Sequence, residues 1–351
     1  MVLKGFWNNK NVLITGHTGF KGSWLSLWLN SLGSKVYGYS LAPNTSPSLY
    51  HQLNLEKAID SKIGDICDKK LMKKYINYCS PEIIFHLAAQ PLVLSGYEET
   101  YNTWNTNVMG TVNLLETLRE NQSECTVVVI TTDKVYENLE TGRFYSEKDR
   151  LGGKDPYSAS KSGTELVVQS YRNIFHQEGQ NVNVVSARAG NVIGGGDWAE
   201  NRLIPDIIRA LECERTVGVR NQNSIRPWQH VLEPLSGYLL LAQKVEDRSF
   251  LGDTLNFGPN DLDAKSVIDV VKAALKSWPG NYSLNPQENA PSEAGLLMLS
   301  IENAQREIGW FPKWDFDKAI IRTMDWYKAN NDNKDMLDFS FKQIKEYEDE
   351  Y

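Results

Sequence analysis

The sequence predicts an α/β fold: a doubly wound parallel sheet followed by a smaller, mostly helical C-terminal region. Three observations predict it. Short apolar runs alternate with longer amphipathic stretches over the first 190 residues, as strands and crossover helices of a parallel sheet do. The first run, Asn11-Val12-Leu13-Ile14-Thr15, leads directly into Gly16-His17-Thr18-Gly19-Phe20-Lys21-Gly22. From Pro259 onward the strand signals fade and helical periodicity dominates.

Composition narrows the classes. The chain has 351 residues, 41% of them hydrophobic, enough core for one large domain or two intimate ones. A net charge of −7 gives no global basic field for nucleic acid or anionic lipid, so any phosphate site must be local. Cys67, Cys79, Cys125 and Cys213 are scattered and form no C-x-x-C pair, which suits reduced thiols in a cytoplasm and offers no zinc or other metal site. No apolar leader opens the chain, and no stretch approaches the roughly 18 apolar residues of a membrane span. The expectation is a soluble cytoplasmic protein without membrane or nucleic-acid partners.

The glycines fall on a strand-to-helix turn. Gly16 permits the tight turn, Gly19 lets the backbone approach a pyrophosphate, and Gly22 lets the helix pack on the strand. The unpaired N–H groups of the first helical turn then face the anion, with Thr18, Phe20 and Lys21 in the same cradle. By itself G-x-x-G-x-x-G also fits an ordinary βα turn. Trp24, Leu25, Leu27, Trp28 and Leu29 carry helical spacing over residues 23–32. A second strand over 35–40 ends at Ser40, where an acid would favour NAD and an arginine NADP. Neither is present, so the residues leave that choice open, with NAD the expectation. A third strand ends in Ile63-Gly64-Asp65-Ile66, where Asp65 either caps the next helix or reaches an adenine amino group. A fourth spans 82–89, and the small residues after His86 (Leu87, Ala88, Ala89) suit close approach of a cofactor. His86 itself reads as a core histidine. A helix over 104–120 and a fifth strand over 126–131 follow. Thr132-Asp133-Lys134 therefore lies at a strand's carboxyl end, where ligands of such sheets bind.

Asp155-Pro156 reads as the cap and first residue of a helix. Tyr157 and Lys161 are then one turn apart on one face. An ammonium near a phenol favours the phenolate, giving a base able to take a proton from an alcohol. A sixth strand over 182–187 leads into Arg188-Ala189-Gly190-Asn191-Val192-Ile193-Gly194-Gly195-Gly196-Asp197-Trp198, whose three glycines demand a flexible or tightly turned loop. Arg202 opens a helix and Arg226 a further segment with Trp228. In an acidic chain both arginines are candidates for a diphosphate, or else surface ion pairs. A buried helix over 231–242 and a strand over 254–258 complete the pattern. The charged tail after Phe339-Ser340-Phe341 carries no readable signal. The predicted division is a dinucleotide-binding part over 1–190, joined by part of 231–258, and a second part from 191–230 and 259–351.

These stretches together resemble the extended short-chain dehydrogenase/reductase family, with its Rossmann-type domain. The likeness is closest to its CDP-glucose 4,6-dehydratase branch, through R-A-G-N-V-I-G-G-G-D-W-A at 188–199 and R-P-W-Q-H-V at 226–231. The resemblance implies bound NAD, a nucleotide-sugar substrate contacted by Gln90, Asn191, Arg202, Arg226 and Trp228, and a homodimer built through the helices at 104–120 and 156–175. It also implies C4 oxidation with Tyr157 and Lys161 as base pair and Thr132 on the C4 oxygen. Asp133 then protonates the leaving C6 hydroxyl, and hydride returns to C6. Lys134 stands where related enzymes carry Glu, as C5 base or as enolate stabiliser. Leu94-Ser95-Gly96 and Ala290-Pro291-Ser292-Glu293-Ala294 depart from the branch pattern near the expected substrate. Other outcomes are a dehydratase of GDP-heptose or dTDP-glucose, and a 4-epimerase, which has no need of Asp133 and Lys134. A non-catalytic scaffold has no need of the Tyr157/Lys161 pair.

Overall fold

Seven short apolar strands form one parallel sheet: β1 (Asn11–Thr15), β2 (Lys35–Ser40), β3 (Asp60–Ile63), β4 (Ile83–His86), β5 (Cys125–Thr132), β6 (Val182–Ala189) and β7 (Thr254–Phe257). The computed structural model describes residues 5–260, 264–284 and 297–350. The order is β3-β2-β1-β4-β5-β6-β7, with every pairing parallel. β1 carries β2 on one side and β4 on the other, so the winding reverses there and leaves a crevice beyond the strands' carboxyl ends. Both faces of the sheet are covered, which is why β4 and β5 are buried along their whole length and read as unbroken apolar runs.

Alternation along the strands sorts the core. Val12, Ile14, Phe85 and Val128 point to one side and pack with α1 (Phe20–Ser31) and later helices. Leu13, Ile84, Val127 and Val129 point to the other, against α2 (Lys69–Cys79), α3 (Gly110–Asn121) and α4 (Pro156–Gln177). α1 starts at Phe20, earlier than its apolar spacing suggested, and is buried all round from Gly22 to Leu29. Its outer face is covered too: Trp24 Nε1 donates to Gly195 O at 2.9 Å and Trp28 Nε1 to Glu348 at 2.9 Å.

Several expected boundaries move. The third strand is Asp60–Ile63, so Gly64, Asp65 and Ile66 follow it. Asp68, not Asp65, caps α2 by accepting from Leu71 N, while Asp65 closes its own turn on Cys67 N. The helix expected over 104–120 is Thr100–Trp104, a π-turn at Asn105–Met109, and α3. In that turn the Asn107 carbonyl accepts from Thr111 and from Thr164 of α4, an extra acceptor duty that suits the wider turn.

Beyond β6 the chain runs through α5 (Leu203–Glu212), returns through α6 (Leu232–Glu246) to β7, and ends in α7 (Val267–Ser277), α8 (Phe316–Asn331) and α9 (Met336–Asp349). The unread tail is thus a docked helix. Tyr347 and Ile344 are fully buried, and Tyr347 hydrogen-bonds Glu233 of α6 at 2.7 Å. The three-glycine loop is tight rather than flexible. A Cβ on Gly195 would stand 1.9 Å from Trp326 of α8, and Tyr327 donates to Asp197 O at 2.6 Å. Among the described residues no helix is long and apolar enough to cross a membrane.

Candidate active site

The glycine turn has the shape of a phosphate cradle. Gly16 has φ +79°, and a Cβ there would sit 2.8 Å from Ala88 N. A Cβ on Gly22 would lie 2.1 Å from Gly16 O, so helix and turn close only on glycine. Gly19, the N-cap of α1, has no atom nearer than 3.4 Å to its missing Cβ and no side-chain cap. The first-turn N–H groups are therefore open for an anion. Thr18 ties the turn to the end of β2, bonding Ser40 Oγ at 2.9 Å and Leu41 O at 2.8 Å. Thr15 Oγ1 accepts from Ala88 N and bonds His86 Nδ1. His86 is the core histidine expected: burial lowers its pKa to about 3 and Thr111 takes its other nitrogen. Ile66 packs under Gly110. The candidate cofactor residues thus converge on the crevice around β1, although Asp65 lies exposed at its rim.

The candidate reaction centre forms where β5 and the first turns of α4 meet. Asp155 and Ser158 make a reciprocal capping box, and Pro156 fills the first turn. Tyr157 and Lys161 then face inward, both buried. Thr132 closes β5 and donates to Asp133 Oδ1 at 2.9 Å, and it lowers the pKa of the Tyr157 phenol. Asp133 is 2% exposed, with its Oδ2 3.3 Å from where a Cβ on Gly190 would stand. Lys134 is half-buried on the turn after β5.

Burial pushes the Tyr157 phenol up to about 12; Thr132 and Arg202 pull it down and Asp133 pushes it further up. Lys161 instead donates to Ile130 O at 3.0 Å, and burial lowers it to about 8 against the pull of Glu165. Thr132 and Arg202 are the groups that favour the phenolate here.

The substrate candidates divide. Arg202 pairs with Asp197 at 2.9 Å, and its charge favours the Tyr157 phenolate. Asn191 leaves β6 with its Oδ1 buried and without a hydrogen-bond partner. Arg226 is buried, donating to Ile225 O at 3.0 Å, on a strand whose Pro227 abuts Gly190. Gln90 is clamped: its Nε2 donates to Thr103 and its Oε1 accepts from Leu92 N. Trp228 belongs to the main core and commits its N–H to Lys265 O, which gives it a packing role. Gly96 lies over Tyr157, 3.3 Å from its N for an added Cβ, so Leu94-Ser95-Gly96 does border the site. Ala290 to Ala294 fall outside the described residues.

Sequence patterns missed the layer behind the pair. Glu165, one turn beyond Lys161, binds Arg188 at 3.0 and 2.9 Å and accepts from Thr131 and Ser186. Arg188 reaches Tyr136, which donates to Asn256 of β7. The i, i+4, i+8 spacing of Tyr157, Lys161 and Glu165 was the available signal. Asn107, which clamps Gln90 and Ser160, had none.

A glycine cradle at β1 and a Tyr/Lys pair on the first turns of α4, on this sheet order, define an extended short-chain dehydrogenase/reductase. A family model described as GDP-mannose 4,6 dehydratase matches residues 13–324, and the chain belongs to that family. It is 47% identical, over 99% of its length and 98% of the relative's, to a CDP-glucose 4,6-dehydratase of Salmonella typhimurium. A dTDP-glucose 4,6-dehydratase of Xanthomonas campestris is 26% identical over 91% of the chain and 93% of its own length. Among solved structures, a dTDP-glucose 4,6-dehydratase of Bacillus anthracis in complex with NAD superposes with TM-score 0.77, at 22% identity, over 93% of this chain and 99% of that one. A UDP-glucose 4-epimerase of Thermotoga maritima reaches 0.80 at 20% identity, covering 91% and 99%, so the fold alone does not separate the two chemistries.

Proposed function

We propose that the protein is an NAD-dependent lyase that converts CDP-glucose to CDP-4-dehydro-6-deoxyglucose and water. The observation that carries this is the buried carboxyl of Asp133 beside Thr132 and Tyr157, an acid that epimerisation does not need. The 47% identity to a CDP-glucose 4,6-dehydratase supports the base and the sugar. The cradle of Gly16, Gly19 and Gly22, open at Gly19 and at the first turn of α1, fits the cofactor's pyrophosphate. Bound NAD supplies a reversible hydride acceptor and a positive charge, and ends the cycle unchanged.

Tyr157 takes the proton of the C4 hydroxyl, and Thr132 holds the C4 oxygen toward the ring. Ionising a phenol held near 12 requires positive charge, which Arg202 supplies in part and the ligands complete. Lys161, fixed on Ile130 O, keeps a cation below the phenol. The 4-ketone acidifies C5. Asp133 gives a proton to the C6 hydroxyl, which leaves as water. Lys134 takes the C5 proton as base and, then charged, stabilises the enolate. Arg202, Arg226 and Asn191 hold the diphosphate, and residues 191–230 and 259–351 form the substrate part. Tyr101, Trp104 and Leu166 are exposed on the adjoining helices, which supports a homodimer through that face. The enzyme works in the cytoplasm and supplies a deoxysugar for a surface polysaccharide.

The test is a mass-resolved assay with CDP-, dTDP-, GDP- and UDP-glucose, each with and without added NAD. Loss of one water from CDP-glucose, without net reduced cofactor, is expected. Water loss from another nucleotide sugar alone overturns the substrate, and an isomer of unchanged mass overturns the reaction.

A further inference from the structure

Tyr157 and Asp133 sit on separate pieces of backbone, and one buried ion pair reaches both pieces. Glu165 lies one turn beyond Lys161 and two beyond Tyr157 on α4, so the three share a face. Its carboxylate accepts from Thr131 Oγ1 on β5 at 2.5 Å and from Ser186 Oγ on β6 at 2.7 Å. It also accepts from Arg188 Nε and Nη2 at 3.0 and 2.9 Å. Thr131 and Arg188 are opposed in the β5–β6 pairing, and Ser186 is two residues from Arg188 on the same face of β6. Glu165 therefore pins α4 to two strands at one level. One turn back, Lys161 donates to the carbonyl of Ile130, the residue before Thr131, at 3.0 Å.

The far side of the guanidinium holds the acid's turn. Arg188 Nη1 donates to the Tyr136 hydroxyl at 2.9 Å, and the guanidinium lies 5.0 Å from the centre of the Tyr136 ring. Tyr136 caps the short turn Asp133–Val135 that carries the acid. Its hydroxyl donates in turn to Asn256 of β7 at 2.7 Å. The side chains of Arg188 and Glu165 are 5% and 4% exposed. Burying two charges is costly, and well-packed apolar residues in their place are often no less stable. Stability is thus a poor reason for the pair, and its reach into both segments is a better one.

We propose that Glu165 and Arg188 are positioning residues that tie the helix of Tyr157 and Lys161 to the turn of Asp133, so that base and acid act on one sugar from one frame. This rests on the dehydration proposed above, in which Tyr157 works at C4 and Asp133 at C6. Each residue acts through another: Glu165 through the seating of α4 on Thr131, and Arg188 through Tyr136. The Glu165 carboxylate also favours the Lys161 ammonium against burial. The frame matters because a misplacement of about 1 Å between reacting groups costs on the order of 100-fold in rate.

The experiment compares full-length wild type, the double variant Glu165→Leu/Arg188→Met, and Tyr136→Phe, each with NAD and CDP-glucose. Water loss is read by mass, reduced cofactor by absorbance, and folding by melting temperature. The double variant removes both charges and keeps the volume, so it should melt near the wild-type temperature. Its kcat should fall by about 10- to 100-fold with KM for CDP-glucose within about threefold of wild type. A stable double variant with wild-type kcat would mark a purely structural pair and overturn the proposal, and so would a loss confined to KM. Tyr136→Phe leaves the ion pair in place and cuts only its link to the acid's turn, so it decides the matter if the double variant does not fold. C4 oxidation should persist there while water loss slows by about 3- to 10-fold, so that reduced cofactor accumulates during turnover. Wild-type water loss without that accumulation in Tyr136→Phe overturns the proposal. Wild-type protein that removes no water from CDP-glucose would instead remove the functional proposal on which this one rests.

Discussion

Thr132 is the residue through which the tyrosine can be tuned without being removed. Its hydroxyl lowers the Tyr157 pKa against a dominant burial effect that pushes the phenol to about 12. Thr132→Val removes that help, so the alkaline rise of kcat/KM should move to higher pH, with about tenfold lost at fixed pH for each unit. An unmoved profile would show that Tyr157 does not titrate in the rate-determining step. Asp133→Asn keeps the shape and removes the proton. Dehydration should fall by roughly 100-fold or more while C4 oxidation, read as absorbance of reduced cofactor, persists. Equal losses would remove Asp133 as the acid. At Gly195 the constraint is steric: Gly195→Ala drives a methyl into Trp326, and roughly 2–4 kcal/mol of stability should be lost in denaturant titration.

Among elements, α6 is the hinge between sheet and C-terminal helices. It is buried all round because it packs on β5 and β6 and also receives α9. Glu233 is its polar anchor. The carboxyl is fully buried and accepts from Lys313 N, Trp314 N and Tyr347 OH. Burial raises its pKa to about 7, the hydrogen bonds opposing. A raised folded pKa binds the proton more tightly than the unfolded chain does. Its contribution is full below about pH 4.5 and is lost as pH rises through about 7. Glu233→Gln should therefore flatten the fall in melting temperature between those limits, and an unchanged slope would show that Glu233 does not titrate there. Elements with strong local chemistry were legible in the sequence: the glycine turn, the Asp155-Pro156 cap and the apolar strands. Those set by distant partners were not. The π-turn at Asn105–Met109 answers to Thr164 on another helix, and α9 is explained by Trp28, Glu233 and Trp326, which no local window contains.

At the scale of the whole molecule, one apolar cluster runs from Val12 and Ile14 through α1 and α6 to Trp326 and Tyr347, so the two predicted parts share a core. The reaction centre was readable because Thr132, Tyr157 and Lys161 lie in short motifs at strand and helix ends. Its electrostatic balance was not, because the charges of Arg202 and Asp133 act on Lys21 only when the 180 residues between Lys21 and Arg202 have folded. The exposed Tyr101, Trp104 and Leu166 make a test of assembly. Leu166→Arg should convert a dimer to a monomer in light scattering without lowering the melting temperature by more than a degree or two; a dimer that persists would place the contact elsewhere.

The position of β7 has a consequence for how the chain is made. β6 ends at Ala189, but its outer neighbour comes only with Thr254–Phe257, after α5 and α6 have been threaded past. During synthesis the edge of β6 is an unpaired template for more than sixty residues of elongation, a flat apolar edge of the kind that recruits other nascent chains. Closure comes later still, when Glu348 takes the Trp28 N–H and Glu350 the Trp314 N–H, some ninety residues beyond β7.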